Sequence, residues 1–194
     1  MTDGWNEYFT QFEHIFSYVE SKTVLDIGCS GGLFWPVLSK YNPSLIEGLD
    51  PDTRHEIDPA YRHIKIHNQS YEDFLPRQGY DVILSFGLIY KLSDPIGLIE
   101  RIANSNPKHI IFENIMHWDT QYPVEFFDED HNLLGGLVYD PSYKKVPWAL
   151  LFPPVMIEKA FSTVGYDMTD KMDISTPNLS CKKETCVMVF KKKD

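Results

Sequence analysis

The sequence predicts an α/β domain built on a doubly wound parallel sheet, and three observations predict it. Residues 23–35 read T-V-L-D-I-G-C-S-G-G-L-F-W, an apolar β-prone run that leads through a glycine-rich turn into a helix-compatible segment. Further β-prone runs at 45–49, 61–67, 82–86 and 108–113 alternate with helical or turn-forming stretches, the pattern of parallel strands joined by crossovers. Acids, glycines and polar residues cluster just past the ends of these runs, on the edge where open α/β sheets bind ligands.

In chain order, residues 5–20 place Trp5, Tyr8, Phe9, Phe12, Ile15, Phe16 and Val19 three and four apart. This predicts an amphipathic helix that packs on the sheet. The first strand ends in Asp26 and Ile27, and Gly28, Gly31 and Gly32 let a ligand approach the backbone beside the free N–H groups of the next helix. A carboxylate directly before these glycines would repel a pyrophosphate, so Asp26 suits a cationic or hydroxyl-bearing ligand. Residues 33–40 read as the first helix, with Pro36 tolerated in its opening turn.

The second strand, 45–49, runs into Asp50-Pro51, 24 residues after Asp26. That spacing suits one strand–helix–strand unit whose second strand carries an acid at its tip. Pro51 and Pro59 leave little room for a helix before Tyr61, so this layer is expected to be abbreviated. Residues 61–67 alternate as a third strand, and 68–74 form a polar loop. The fourth strand, 82–86, ends at Gly87, followed by a turn and a helix over 96–103. The fifth covers 108–113.

Residues 114–150 break the rhythm, with seven aromatics (Trp118, Tyr122, Phe126, Phe127, Tyr139, Tyr143, Trp148) and no helical period. A connection this long is functional or misassigned. It is read as a substrate insert or lid, with a short hairpin around Gly135. Its acids Asp128, Glu129 and Asp130 are read as solvated, and no metal site is predicted. A helix at 153–163, opened by two prolines and closed at Gly165, precedes two last strands at 166–174 and 185–190.

With 194 residues, 43% hydrophobic and 24% charged, the chain is long enough for one domain with its own core. No apolar run approaches the ~20 residues needed to span a bilayer. The N-terminus lacks the pattern of a signal peptide, and the expectation is a cytoplasmic protein, monomeric or homodimeric. The net charge of -10 opposes nonspecific attraction to nucleic acid. Three cysteines, Cys29, Cys181 and Cys186, make no zinc set and read as reduced thiols.

The run D-I-G-C-S-G-G resembles the first motif of class I S-adenosylmethionine (SAM) dependent methyltransferases, an acid followed by alternating glycines, with Ser30 in place of the second glycine. Residues 79–95 resemble that family's fourth-strand region, with Lys91 where the pattern has a histidine. The resemblance covers 23–190, and it implies a Rossmann-like, mostly parallel seven-stranded sheet with helices on both faces and an antiparallel last strand. It also implies SAM as cofactor and a single domain over 1–194, with 1–22 as leading helix and 114–150 as insert. Trp5 or Tyr8 of that leading helix would border the cofactor or pack in the core. The implied cofactor residues are Asp26, Gly28, Cys29, Ser30, Gly31 and Gly32 at the turn, Asp50 and Pro51 at the ribose, Ser70 and Tyr71 at the adenine, and Phe86 with Gly87.

Methyl transfer from a sulfonium is an in-line displacement, so the protein's task is to align the groups and exclude water. A general base helps when the acceptor is a hydroxyl or ammonium. Glu113, His117 and Tyr90 stand near the predicted active edge and are the candidates. The expected acceptor is a small molecule, saccharide or lipid-linked group. The alternatives are a tRNA wobble-uridine enzyme using a carboxylated SAM derivative, and a SAM-binding scaffold without catalysis, for which Ser30 and Lys91 are the motive.

Overall fold

The computed structural model describes residues 10–52, 54–74, 79–118, 124–127, 133–139, 148–175 and 183–194. Strands β1 (Thr23–Ile27), β2 (Leu45–Leu49), β3 (Lys65–His67), β4 (Val82–Ser85) and β5 (His109–Trp118) lie in the first part of the chain. β6 (Val124–Phe127), β7 (Leu133–Tyr139), β8 (Trp148–Leu151), β9 (Tyr166–Ser175) and β10 (Lys183–Lys192) follow. The α-helices are α1 (Trp35–Ser39), α2 (Pro95–Asn104) and α3 (Pro154–Thr163).

Seven strands form one sheet in the order β3-β2-β1-β4-β5-β10-β9. β1 to β5 pair in parallel, and β10 is antiparallel to both of its neighbours, as expected for the last strand. Strand order reverses beside β1, which leaves a crevice at the carboxyl ends of β1 and β4. Residue alternation along each strand divides the core between two faces. Val24, Val82, Leu84 and Ile111 pack with Phe12, Phe16, Trp35 and Leu38 on one face. Leu25, Ile83, Ile110 and Phe112 pack with Leu98, Ile102, Ile157 and Phe161 on the other. α2 begins where the Asp94 carboxylate accepts the Gly97 N–H at 2.9 Å and Pro95 supplies the first turn.

Four elements differ from expectation. Residues Glu13–Val19 form a 3-10 helix, and the candidates Trp5 and Tyr8 lie outside the described residues. Spacings of three and four bury Phe12, Ile15, Phe16 and Val19 equally well in a three-residue repeat. β3 is short because Pro59–Tyr61 turns as a 3-10 helix before it, and this turn is what remains of the abbreviated layer. β5 continues to Trp118, paired along its length with β10. The insert forms a second antiparallel sheet, β6-β7-β8, with Gly135 inside β7 opposite Phe126. β8 packs against the 3-10 turn Ile89–Lys91 and against β5, so the insert stands at the ligand edge. The acids 128–130 and Cys181 lie outside the described residues. Among the described residues, no helix is long and apolar enough to cross a membrane.

Candidate active site

A cleft of about 690 Å³ opens along the carboxyl ends of β1, β2, β4 and β5, within the usual size of a small-ligand site. Its floor begins with the turn after β1. Gly28 has φ +77° and Gly32 φ +78°, and a Cβ on Gly32 would run into the Trp35 ring. Ser30 also adopts a left-handed φ of +51°, a conformation that a non-glycine residue takes at a cost of about 1–2 kcal/mol. Its N–H donates to Asp50 Oδ2 at 2.8 Å. The N–H groups of Gly28 and Cys29 both donate to the Leu49 carbonyl, at 2.8 and 3.3 Å. The turn is thereby laced to the end of β2.

Asp50 is 9% exposed, and its other oxygen, Oδ1, accepts the Asp52 N–H at 2.8 Å. Each carboxylate oxygen therefore holds one backbone donor and retains acceptor capacity toward the cleft. Asp26, by contrast, does not line the cleft. It is 1% exposed and accepts the Trp35 indole N–H at 3.0 Å. Burial raises its pKa to about 7, with the Trp35 hydrogen bond opposing and Asp50 adding to the rise. Asp26 thus ties the turn to Trp35 from outside the cleft lining. Gly31 and Gly32 likewise shape the turn without lining the cleft.

The remaining cofactor candidates, Gly28, Cys29, Ser30, Asp50, Pro51, Ser70, Tyr71, Phe86 and Gly87, all line the cleft. Tyr71 donates to the Asp94 carbonyl at 3.0 Å, and burial followed by the neighbouring Glu72 pushes its phenol up to about 12. The Cys29 thiol is raised further, chiefly by burial and then by Asp26 and Asp50, so it stays protonated. Phe86 sits 4.4 Å from Phe34 between ring centroids and stacks on Phe12 at 5.9 Å, forming an apolar wall.

Of the three base candidates, Glu113 and Tyr90 line the cleft. Glu113 Oε2 accepts the Gly87 N–H at 2.5 Å. Both groups close on Gly87, where an added Cβ would lie 3.3 Å from the Tyr90 hydroxyl and 3.9 Å from Glu113 Oε2. His117 belongs to β5, paired with Glu184, and its side chain lies outside the described residues.

A family model described as a methyltransferase domain matches residues 9–168. The chain belongs to the methyltransferase-domain family. This methyltransferase domain is 26% identical over 162 residues to a tRNA U34 carboxymethyltransferase of Campylobacter jejuni, covering 78% of the chain and 52% of that relative. The chain spans about half the length of the curated relatives it matches. Its fold is similar to a structure described as a putative SAM-dependent methyltransferase of Listeria monocytogenes (TM-score 0.69, 14% identity, 98% of each chain). It is also similar to a 1,6-didemethyltoxoflavin-N1-methyltransferase of Burkholderia thailandensis (TM-score 0.69, 13% identity, 99% of this chain and 82% of that one).

Beyond the residues singled out from the sequence, Gln69, Glu72, Thr185 and His55 also line the cleft of this methyltransferase domain. Gln69 and Glu72 flank Ser70 and Tyr71 in the same loop, so loop position alone points to them. Thr185 comes from β10, beside a register shift between Glu184 and Thr185. No local pattern reveals which side of a strand faces the cleft after such an irregularity.

Proposed function

We propose that the chain binds SAM with its ribose diol on Asp50 and transfers the methyl group to a small-molecule, saccharide or lipid-linked acceptor. The observation that carries this reading is the Asp50 carboxylate, fixed by two backbone N–H groups at the β2 tip and lining the cleft. A bidentate acceptor pairs naturally with a vicinal diol. When bound, SAM supplies an activated methyl whose bond to sulfur breaks as its bond to the acceptor forms. The Ser70-Tyr71 segment then borders the adenine, and Gly28 to Ser30 approach the methionine portion. The Phe34–Phe86 wall keeps the reacting end dry, which favours displacement. Glu113 or Tyr90 receives the acceptor proton when the acceptor is a hydroxyl or ammonium, with His117 as the third candidate.

The charge of the cleft supports an acceptor that is not a polyanion. Asp50, Asp52, Glu72 and Glu113 line it against Lys91 and His55. The second reading is modification of a tRNA uridine, in keeping with the name of the Campylobacter relatives. Lys91, the one lysine or arginine lining the cleft among the described residues, favours it by offering a cation to a carboxylated SAM derivative.

Calorimetry with SAM and with its demethylated product, S-adenosylhomocysteine (SAH), tests the cofactor step, and absence of binding below millimolar concentration overturns both readings. Label transfer from methyl-labelled SAM to a metabolite and glycan panel, run beside unmodified tRNA with SAM or its carboxylated derivative, separates the two acceptor classes.

A further inference from the structure

Beneath the cleft, outside the residues given a role above, three polar side chains meet on one face of the β2–β3 edge. Glu47 of β2 is 8% exposed. Its Oε2 lies 2.8 Å from His67 Nε2 and also accepts the Tyr80 hydroxyl in a short hydrogen bond. The His67 ring packs on Phe74 with centroids 4.8 Å apart. Burial acts to raise the Glu47 pKa, but the hydrogen bonds from His67 and Tyr80 override it and hold the carboxyl below its ordinary range. A buried carboxylate satisfied by two donors is costly to leave half-paired, so this cluster fixes the ring that completes it.

The backbone of the same histidine reaches the cleft. The His67 carbonyl accepts the Asp50 N–H at 3.1 Å and the Gln69 N–H at 2.9 Å. Asp50 and Gln69 both line the cleft. β3 is an edge strand of three residues with a partner on one side, and His67 is its last residue. Such a strand is weakly held by its own ladder and frays at its end. The side-chain anchor replaces the missing ladder bonds at the point where the chain turns into the 68–74 loop.

We infer that His67 is a positioning residue for the nucleoside half of the cofactor, its ring held by Glu47 and Phe74, with Tyr80 fixing the Glu47 carboxylate, so that its carbonyl holds Asp50 and Gln69 in binding register. This rests on the SAM-binding reading above. The ring never touches the ligand and acts through Asp50 and the loop.

Calorimetry with SAH, on wild type and variants well below their unfolding midpoints, tests it. His67→Phe keeps a ring on Phe74 but removes the donor, and is expected to weaken SAH about 10-fold, the scale of one hydrogen bond to a charged group. His67→Gln, whose amide N–H donates to Glu47, is expected to recover most of that loss. In an Asp50→Ala background, His67→Phe is expected to cost clearly less than in the wild type, because the part acting through Asp50 is already lost and residues acting through one another are not additive. Tyr80→Phe, which removes the other arm and preserves shape, is expected to weaken SAH by about 2- to 4-fold and serves if His67→Phe does not fold. Unchanged affinity in either phenylalanine variant, failure of glutamine to rescue a folded His67→Phe, or multiplying losses with Asp50→Ala overturns the inference. A wild type that binds no SAH overturns the functional reading, and this inference with it; a wild type that binds while His67→Phe binds equally overturns the inference alone.

Discussion

Asp26 and Asp50 stand toward the carboxyl ends of two neighbouring parallel strands, with Asp26 registered against Gly48. Both are nearly buried. Asp26 turns beneath the glycine turn onto the Trp35 indole, while Asp50 takes two backbone N–H groups and lines the cleft. The difference teaches that an acid beside a glycine turn can serve the turn's shape or the ligand, and that the side chain opposite decides which. Gly48, lacking a side chain, leaves room for Cys29 and Trp35, and a Cβ there would lie 2.6 Å from Cys29 Sγ. Trp35 fills that space and claims the Asp26 carboxylate.

Trp35 is what separates Asp26 from Asp50. Trp35→Ala removes a fully buried indole and orphans Asp26, and is expected to destabilise the fold by about 3–5 kcal/mol. Denaturant unfolding measures it, and a loss below about 1 kcal/mol would mean that Asp26 and the turn do not depend on this contact. Asp50→Ala is expected to weaken SAH by about 1–3 kcal/mol in calorimetry, through the unpaired diol. An unchanged affinity would remove Asp50 from the site.

Asp26→Asn isolates the ionisation of the acid beneath the turn. The folded pKa of Asp26 is raised to about 7 from an ordinary 3.8, so between these values the native state holds more proton than the unfolded one. Stability from this group is therefore greatest at the low end of the window and falls as pH rises toward 7, with a slope of at most about 1.4 kcal/mol per pH unit. Asparagine still accepts the Trp35 N–H but does not ionise. Melting temperatures from pH 5 to 8 are expected to decline more steeply for the wild type than for Asp26→Asn, and parallel curves would refute the raised pKa. The smallest effect concerns Cys29, whose thiol is held protonated by burial and by the two acids. Its alkylation by iodoacetamide at pH 7.5 is expected to be slower than in the unfolded chain, and slowed further by SAH. Equal rates would show the turn to be open.

Much of the cofactor edge was legible because its signals are local. The turn at 28–32, the acid-proline pair at 50–51 and the helix start at Asp94-Pro95 each depend on a few adjacent residues with defined backbone demands. The role of Asp26 was not legible, since Trp35 and Gly48 meet it only in three dimensions. Nor was the length of β5, because residues beyond Glu113 remain strand through pairing with a segment some seventy positions later. In the insert, the sequence offered a short hairpin around Gly135 but not the three-stranded sheet, because β7 obtains both of its partners from within a stretch that has no periodic signature.

By itself, then, the sequence determined the alternation of strands and helices, the edge on which ligands meet the sheet, and the glycine turn with Asp50 beyond it. Those are properties of short windows, where periodicity and allowed dihedrals act directly. Tertiary structure alone decided that Asp26 faces a tryptophan, that Thr185 reaches the cleft, and that His67 joins Glu47 and Tyr80 under the cofactor edge. Each depends on where strands and side chains come to lie in space, which is fixed only once the surrounding core has set the register and direction of the strands that carry them.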